Sequence, residues 1–115
     1  MKIGDHAQCT RIYTAAAIRE FAVLAQKQPG DHVPEPLIGA LFSYLLGVEL
    51  PGYGTNYLKQ SLHFHQNAPL DVPLTARVEI TRLRPEKQLV DLATTCVLPN
   101  GEMLCEGRAL VRFAP

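Results

Sequence analysis

The sequence predicts an α+β fold in which one antiparallel sheet curls round a central, buried helix. Two features carry that prediction. Residues 37–47 are apolar almost all the way round at helical spacing, with Leu37, Leu41 and Leu45 in one row and Ile38, Phe42 and Leu46 in the next. A helix without a wide polar face has to be buried, so something must wrap it. The wrapping is supplied by residues 56–65, 74–83, 87–98 and 103–113, which are rich in Val, Ile, Leu and Thr and mostly alternate. Ala76, Val78 and Ile80 oppose Arg77, Glu79 and Thr81, and Leu104, Glu106 and Arg108 are read as sharing one face.

The elements follow in order. Residues 7–13 mix β-branched and polar side chains and read as a first strand. Thr14 is placed as the N-cap of a helix of strong helix formers that runs from Ala15 to Ala25. Its apolar stripe is Ile18, Phe21, Ala22 and Ala25, so this helix lies on a surface. Residues 27–36 hold three prolines and a glycine and read as a loop. Pro34 or Pro36 then opens the buried helix, where a missing N–H costs nothing. Gly47 is placed at the position that ends it. The strands are expected to form a meander, punctuated at 67–69, 84–86 and 99–102. Asn100-Gly101 is a hairpin signal, because it readily takes positive φ. Burying each large side chain of the helix is worth about 1.5–3 kcal/mol, so a charge at Leu41 should be ruinous.

Composition narrows the class of function. The chain has 115 residues, one domain's worth, with Lys+Arg and Asp+Glu balanced at 11 each. No Lys/Arg cluster stands out along the sequence, which argues against nucleic acid. No apolar run approaches the ~20 residues of a membrane span, and the first six residues lack the apolar stretch of a signal peptide. Cys9, Cys96 and Cys105 have no metal or redox spacing and read as reduced cytoplasmic thiols. A small molecule or a protein is therefore the expected partner.

One stretch narrows the reading further. Residues 45–64 read Leu-Leu-Gly-Val-Glu-Leu-Pro-Gly-Tyr-Gly-Thr-Asn-Tyr-Leu-Lys-Gln-Ser-Leu-His-Phe. This resembles the (R)-specific enoyl-CoA hydratases, the MaoC-like hot-dog family, in which a Leu-Pro-Gly-x-Gly turn leads into a Tyr-Leu-x-Gln-Ser-Leu-x-Phe strand. The likeness continues through Val78-Glu79-Ile80-Thr81-x-Leu83-Arg84 and Lys87 to Glu106-Gly107-x-Ala109-Leu110-Val111, and upstream through residues 10–24. It implies a hot-dog fold, a homodimer or a heterodimer with a catalytic paralogue, and an acyl-CoA or acyl-carrier-protein thioester as ligand. It also implies a role in fatty acid metabolism and no metal or organic cofactor. The activity it implies is stereospecific addition of water to a trans-enoyl-CoA, or the reverse. An Asp and a His hold the water, and a backbone N–H near the start of the buried helix meets the thioester oxyanion.

The family's Asp-x-Asn-Pro-apolar-His signature is broken here. The window reads Lys27-Gln28-Pro29-Gly30-Asp31-His32, so His32 falls on the His while Lys27 falls on the Asp. Roughly ten residues or more between this His and the buried helix are absent, more than ordinary loop trimming. Three readings follow. The chain is a degenerate hydratase that binds acyl thioesters or pairs with another chain. Alternatively, chemistry is rebuilt from His32 with Asp31 or Glu35. Or Glu35 mimics the helix-borne acid of hot-dog thioesterases. The candidate catalytic residues are thus His32, Asp31 and Glu35, against a bland reading as loop charges beside a helix N-terminus. The resemblance places Gly54, Thr55 and Tyr57 at the substrate, with Thr55 on a family serine; a hydroxyl that merely caps the turn is the alternative. His63 and His65 face one side of a strand, as surface or interface histidines more readily than as metal ligands. Lys27, Lys59 and Arg84 are candidates for CoA phosphates, with solvated side chains preferred.

Overall fold

The structure, a computed structural model, describes residues 1–24, 30–52 and 54–113. The chain forms β1 (His6–Ile12), α1 (Ala15–Leu24), the two-residue β2 (His32–Val33), α2 (Glu35–Tyr44), β3 (Asn56–Phe64), the two-residue β4 (Ala68–Pro69), β5 (Pro73–Arg84), β6 (Leu89–Val97) and β7 (Met103–Arg112). Five strands make one antiparallel sheet in the order β1-β5-β6-β7-β3, and β2 pairs with β4 beside it. The order corrects the expected meander. Only β5, β6 and β7 are sequential neighbours; β3 joins β7 at the far edge.

Local chemistry sets the element ends. The Ala17 N–H donates to Thr14 Oγ1 at 3.1 Å, so Thr14 caps α1 as expected. Pro34 is the N-cap of α2, and Pro36 sits in its first turn. The 99–102 turn closes through Leu98 N–H to Glu102 O and Gly101 N–H to Leu98 O, both 2.9 Å, with Gly101 at φ +87°.

Three finer expectations are overturned. Gly47 does not end the helix: α2 runs on into a widened π-type turn, Leu45–Glu49. The widened turn seats both Leu45 and Leu46 in the core, and the chain reverses instead at Gly52, φ +97°. The helix is also not apolar-buried all round. Ile38, Leu41, Phe42, Leu45 and Leu46 are buried, Leu37 is half-buried, and Ala40, Ser43, Tyr44, Gly47 and Val48 form an uncovered stripe. A five-stranded sheet curls over only part of a helix's circumference. Finally, Leu104 does not share a face with Glu106 and Arg108. It is buried beside Cys105 at a break in register between Cys96 and Val97, and the inward row resumes through Ala109 and Val111.

The core lies between α2 and the sheet's inner face. Leu74, Ala76, Val78 and Ile80 of β5, Val90, Leu92 and Cys96 of β6, and Val111 of β7 pack under Phe42, Leu45 and Leu46. Of the α1 stripe, Ile18 and Ala22 are buried and Phe21 is half-buried. Ala25 lies outside the described residues.

Candidate functional site

The candidate residues fall into two groups at opposite ends of the sheet. Asp31, His32 and Glu35 cluster where β2 enters α2. His32 and Val33 are register partners of Pro69 and Ala68 in β4, which fixes this segment beyond the C-terminal end of β3. Gly54, Thr55 and Tyr57 surround the N-terminal end of β3. From the Tyr57 row to the Phe64 row is seven residues, about 23 Å at ~3.3 Å per residue. One protomer therefore does not bring the two groups into a single small site.

In the first group, Asp31 and His32 touch: His32 Nδ1 lies 3.1 Å from Asp31 Oδ1. The contact is open to water, with the Asp31 side chain fully exposed and that of His32 41% exposed. The hydrogen bond to His32 holds the Asp31 carboxyl below the usual carboxylate range. Glu35 occupies the first turn of α2, where the helix dipole favours a carboxylate, and it is exposed. Lys27 lies outside the described residues, as does Pro29.

In the second group, Gly54 takes φ +89°, a conformation glycine adopts without strain. The Thr55 hydroxyl donates to Gly52 O at 2.5 Å, and the Thr55 N–H donates to the same carbonyl at 3.2 Å. That hydroxyl is engaged in closing the turn. Tyr57 faces inward on β3, opposite buried Val111. Burial pushes its phenol up to about 12, so it is a neutral donor at any physiological pH.

Among the described residues no three His, Cys, Asp or Glu side chains are set to hold a metal ion. His63 and His65 do face one side, as the alternation predicts: their rings meet edge-on at 4.8 Å, and His65 Nε2 lies 3.4 Å from Glu106 Oε2. Two grooves of about 430 Å³ each lie on the sheet's outer face along β3, β6 and β7. Neither includes a candidate catalytic residue. Cys96 and Cys105 are register partners buried in the core, and their mutual hydrogen bond lowers Cys105 and raises Cys96.

The sequence reading has Gly107 only as part of the family likeness and gives it no structural role. A Cβ there would stand 1.8 Å from the Ser61 carbonyl oxygen, so β3 can approach β7 only because this position is glycine. The available signal was a lone glycine inside an alternating strand.

A sheet curled against one long helix, with β3 left as a free edge, defines the hot-dog class. Comparison with known proteins then narrows the class. No family model matches the chain. The (R)-specific enoyl-CoA hydratase of Aeromonas caviae is 31% identical over an alignment that covers 98% of this chain and 96% of that protein. The enzyme of the same name from Rhodospirillum rubrum is 32% identical, covering 96% and 87%. Among solved structures, the A. caviae (R)-hydratase involved in PHA biosynthesis superposes with a TM-score of 0.88 at 30% identity over 99% of this chain and 98% of that one. The chain therefore belongs to the (R)-specific enoyl-CoA hydratase family. The first alignment runs over 128 positions, 13 more than the 115 residues of this chain, so the chain is shortened relative to that protein. No described helix is long and apolar enough to cross a membrane.

Proposed function

We propose that this protein is a dimeric acyl-thioester-binding member of its family whose hydratase chemistry is impaired. One observation carries the reading. The only carboxylate–imidazole contact among the candidates, Asp31–His32, is exposed, and its carboxyl is shifted down. A general base works best with a pKa near the working pH and in a sheltered site. Asp31 departs from both requirements, and a lysine stands where the family has its Asp.

The second half of the proposal is the dimer. β3 pairs on one side only, with β7, and its residues 56–61 are exposed on both faces. Tyr57 and Leu58 leave apolar surface uncovered along this edge. An unpaired apolar edge is a liability that a second strand removes. Antiparallel pairing of β3 with β3 of a second copy sets the Asp31–His32 end of one protomer beside the Thr55–Tyr57 end of the other. The acyl thioester is then held between groups that a single protomer keeps about 23 Å apart.

The 3.1 Å Asp31–His32 contact is also what a rebuilt acid–base pair would use, so an active enzyme is the second reading. Crotonyl-CoA hydration by the purified protein separates the two. Saturable binding without turnover is the expected result. Turnover that is lost in His32→Ala and kept in Lys27→Ala would establish the rebuilt enzyme instead. Release of free thiol that Glu35→Gln abolishes would indicate a thioesterase. Absence of binding would remove the ligand assignment itself.

A further inference from the structure

Nothing in the spacing of Cys9, Cys96 and Cys105 along the chain pairs them, but the sheet sets all three in one row. Register runs from Cys9 to Ala76, from Ala76 to Cys96 and from Cys96 to Cys105, across β1, β5, β6 and β7. Direct partners in an antiparallel ladder share a face, here the inner one, where Ala76, Cys96 and Cys105 are buried. All three cysteines are free thiols, and those of Cys96 and Cys105 hydrogen-bond to each other. Opposed residues of an antiparallel pair stand about 4.5–5.5 Å apart at Cα, inside the span of about 4.4–6.8 Å that a disulfide bridges. Cys9 lies two strand spacings from Cys96, about 9.6 Å, with Ala76 between them, which is too far to bridge. One pairing is therefore open, and it leaves the third thiol over.

We propose that Cys96 and Cys105 are a modification site, which hydrogen peroxide converts to a reversible disulfide that staples β6 to β7. Both thiols are sealed from solvent, but they lie close to the tip of a hairpin. Beyond them the register breaks, Val97 pairs with Met103, and the 99–102 turn is exposed. A bulge disrupts the ladder, and the last rung of a hairpin opens at little cost, so a small oxidant gains entry there. The hydrogen bond from Cys96 outweighs burial and holds the Cys105 thiol below its ordinary range, which makes Cys105 the attacking sulfur. Its thiolate takes one oxygen of the peroxide and becomes a sulfenic acid; the released hydroxide, with the thiol's proton, makes the first water. The Cys96 sulfur then attacks the sulfenic sulfur. The hydroxyl leaves with the Cys96 proton as the second water, and the S–S bond forms. Two thiols have lost two hydrogens and two electrons, and the peroxide has been reduced to two waters. No candidate site residue takes part, so the pair stands whether or not the protein binds acyl thioesters.

The test treats the reduced full chain with hydrogen peroxide, natively and in urea, then counts thiols in denaturant and maps the peptides by mass. The native chain should lose two of its three thiols, drop in mass by two hydrogens, and link the peptides that hold Cys96 and Cys105. Dithiothreitol should reverse all three changes. The bond closes a loop of ten residues, 96–105, so the oxidised form should melt about 5–10 °C higher. Cys9→Ser should oxidise as the wild type does. Cys96→Ala removes the resolving thiol and should leave a sulfenic acid on Cys105 that dimedone traps; the wild-type peptide map decides the matter even where this variant fails to fold. Three thiols surviving in the native chain at a peroxide dose that oxidises it in urea would overturn the proposal. So would a link that includes Cys9, or oxygen added to Cys96 and Cys105 without a link. A lower Tm in the oxidised form would show that the bond strains the hairpin instead of stapling it, and would overturn the proposal equally.

Discussion

The rows beneath α2 and the segment that leads into α2 answer to different constraints. Under the helix, Val78, Val90, Leu92 and Phe42 are sealed from solvent, and each is in place because it is apolar and fits. From Gly30 to Glu35 only Val33 is buried, and the side chains that could do chemistry look outward. Burial tolerates changes of identity that keep volume and pattern, whereas acid–base chemistry needs particular groups held to within about 0.5 Å. A chain shorter than its relative can therefore keep the packing of that family. Fold and activity answer to separate constraints along that line.

The largest effect tests the packed side. Leu41→Asp places a charge where only 5% of the residue is exposed and should abolish folding; Phe42→Ala should cost about 3–5 kcal/mol. Urea denaturation followed by circular dichroism measures both. By contrast, Glu35→Ala on the exposed side should change stability by about 0.5 kcal/mol or less. A cooperative transition retained by Leu41→Asp would erase the contrast between the two regions.

Gly107 sharpens it at the sheet edge. Gly107→Ala drives a methyl into the Ser61 carbonyl and should cost about 1–3 kcal/mol by prising β3 from β7. Because β3 is the proposed dimer edge, light scattering should also show monomer. A dimer of unchanged stability would place the interface elsewhere.

Much of the first region was legible because periodicity reports burial. The 37–46 run and the alternation of β5 and β6 gave the helix, the strands and their inward faces. The hairpin at Asn100-Gly101 and the cap at Thr14 followed from short-range chemistry. What escaped was non-local. Nothing in the β3 sequence says that it pairs with β7, and Leu104 entered the core only through a register break set by its partner strand. Gly47 looked like a stop signal, yet the pull of two leucines into the core kept the chain coiled for another turn. The candidate site was legible as residue types. That Asp31 and His32 touch, and that Thr55 and Tyr57 lie at the other end of the sheet, are properties of the fold. Thr14→Ala gives a smaller check on the local part: loss of the cap should cost about 1 kcal/mol, read as a drop in urea midpoint, and no change would show that α1 is held by Ile18 and Ala22 alone.

The smallest expected effect bears most directly on chemistry. The hydrogen bond from His32 favours the ionised form of Asp31, so the folded midpoint lies below the unfolded one. The contact is present above the ordinary carboxylate midpoint of about 3.9 and is lost as pH falls through Asp31's own lower value. Its contribution to global stability should be undetectable, because the carboxylate is fully exposed. The carboxyl-carbon NMR shift isolates it: His32→Ala should raise the Asp31 midpoint toward the ordinary value, and an unmoved midpoint would show that the contact does not form in solution. Repeating the titration on the dimer saturated with crotonyl-CoA turns the measurement into a test of mechanism. A midpoint that stays low describes a carboxylate too weakly basic to take a proton from water at neutral pH, as an impaired hydratase requires. A midpoint driven upward by the ligand would mean that closure of the site desolvates Asp31, and the open segment would then be completed by binding rather than stripped of function.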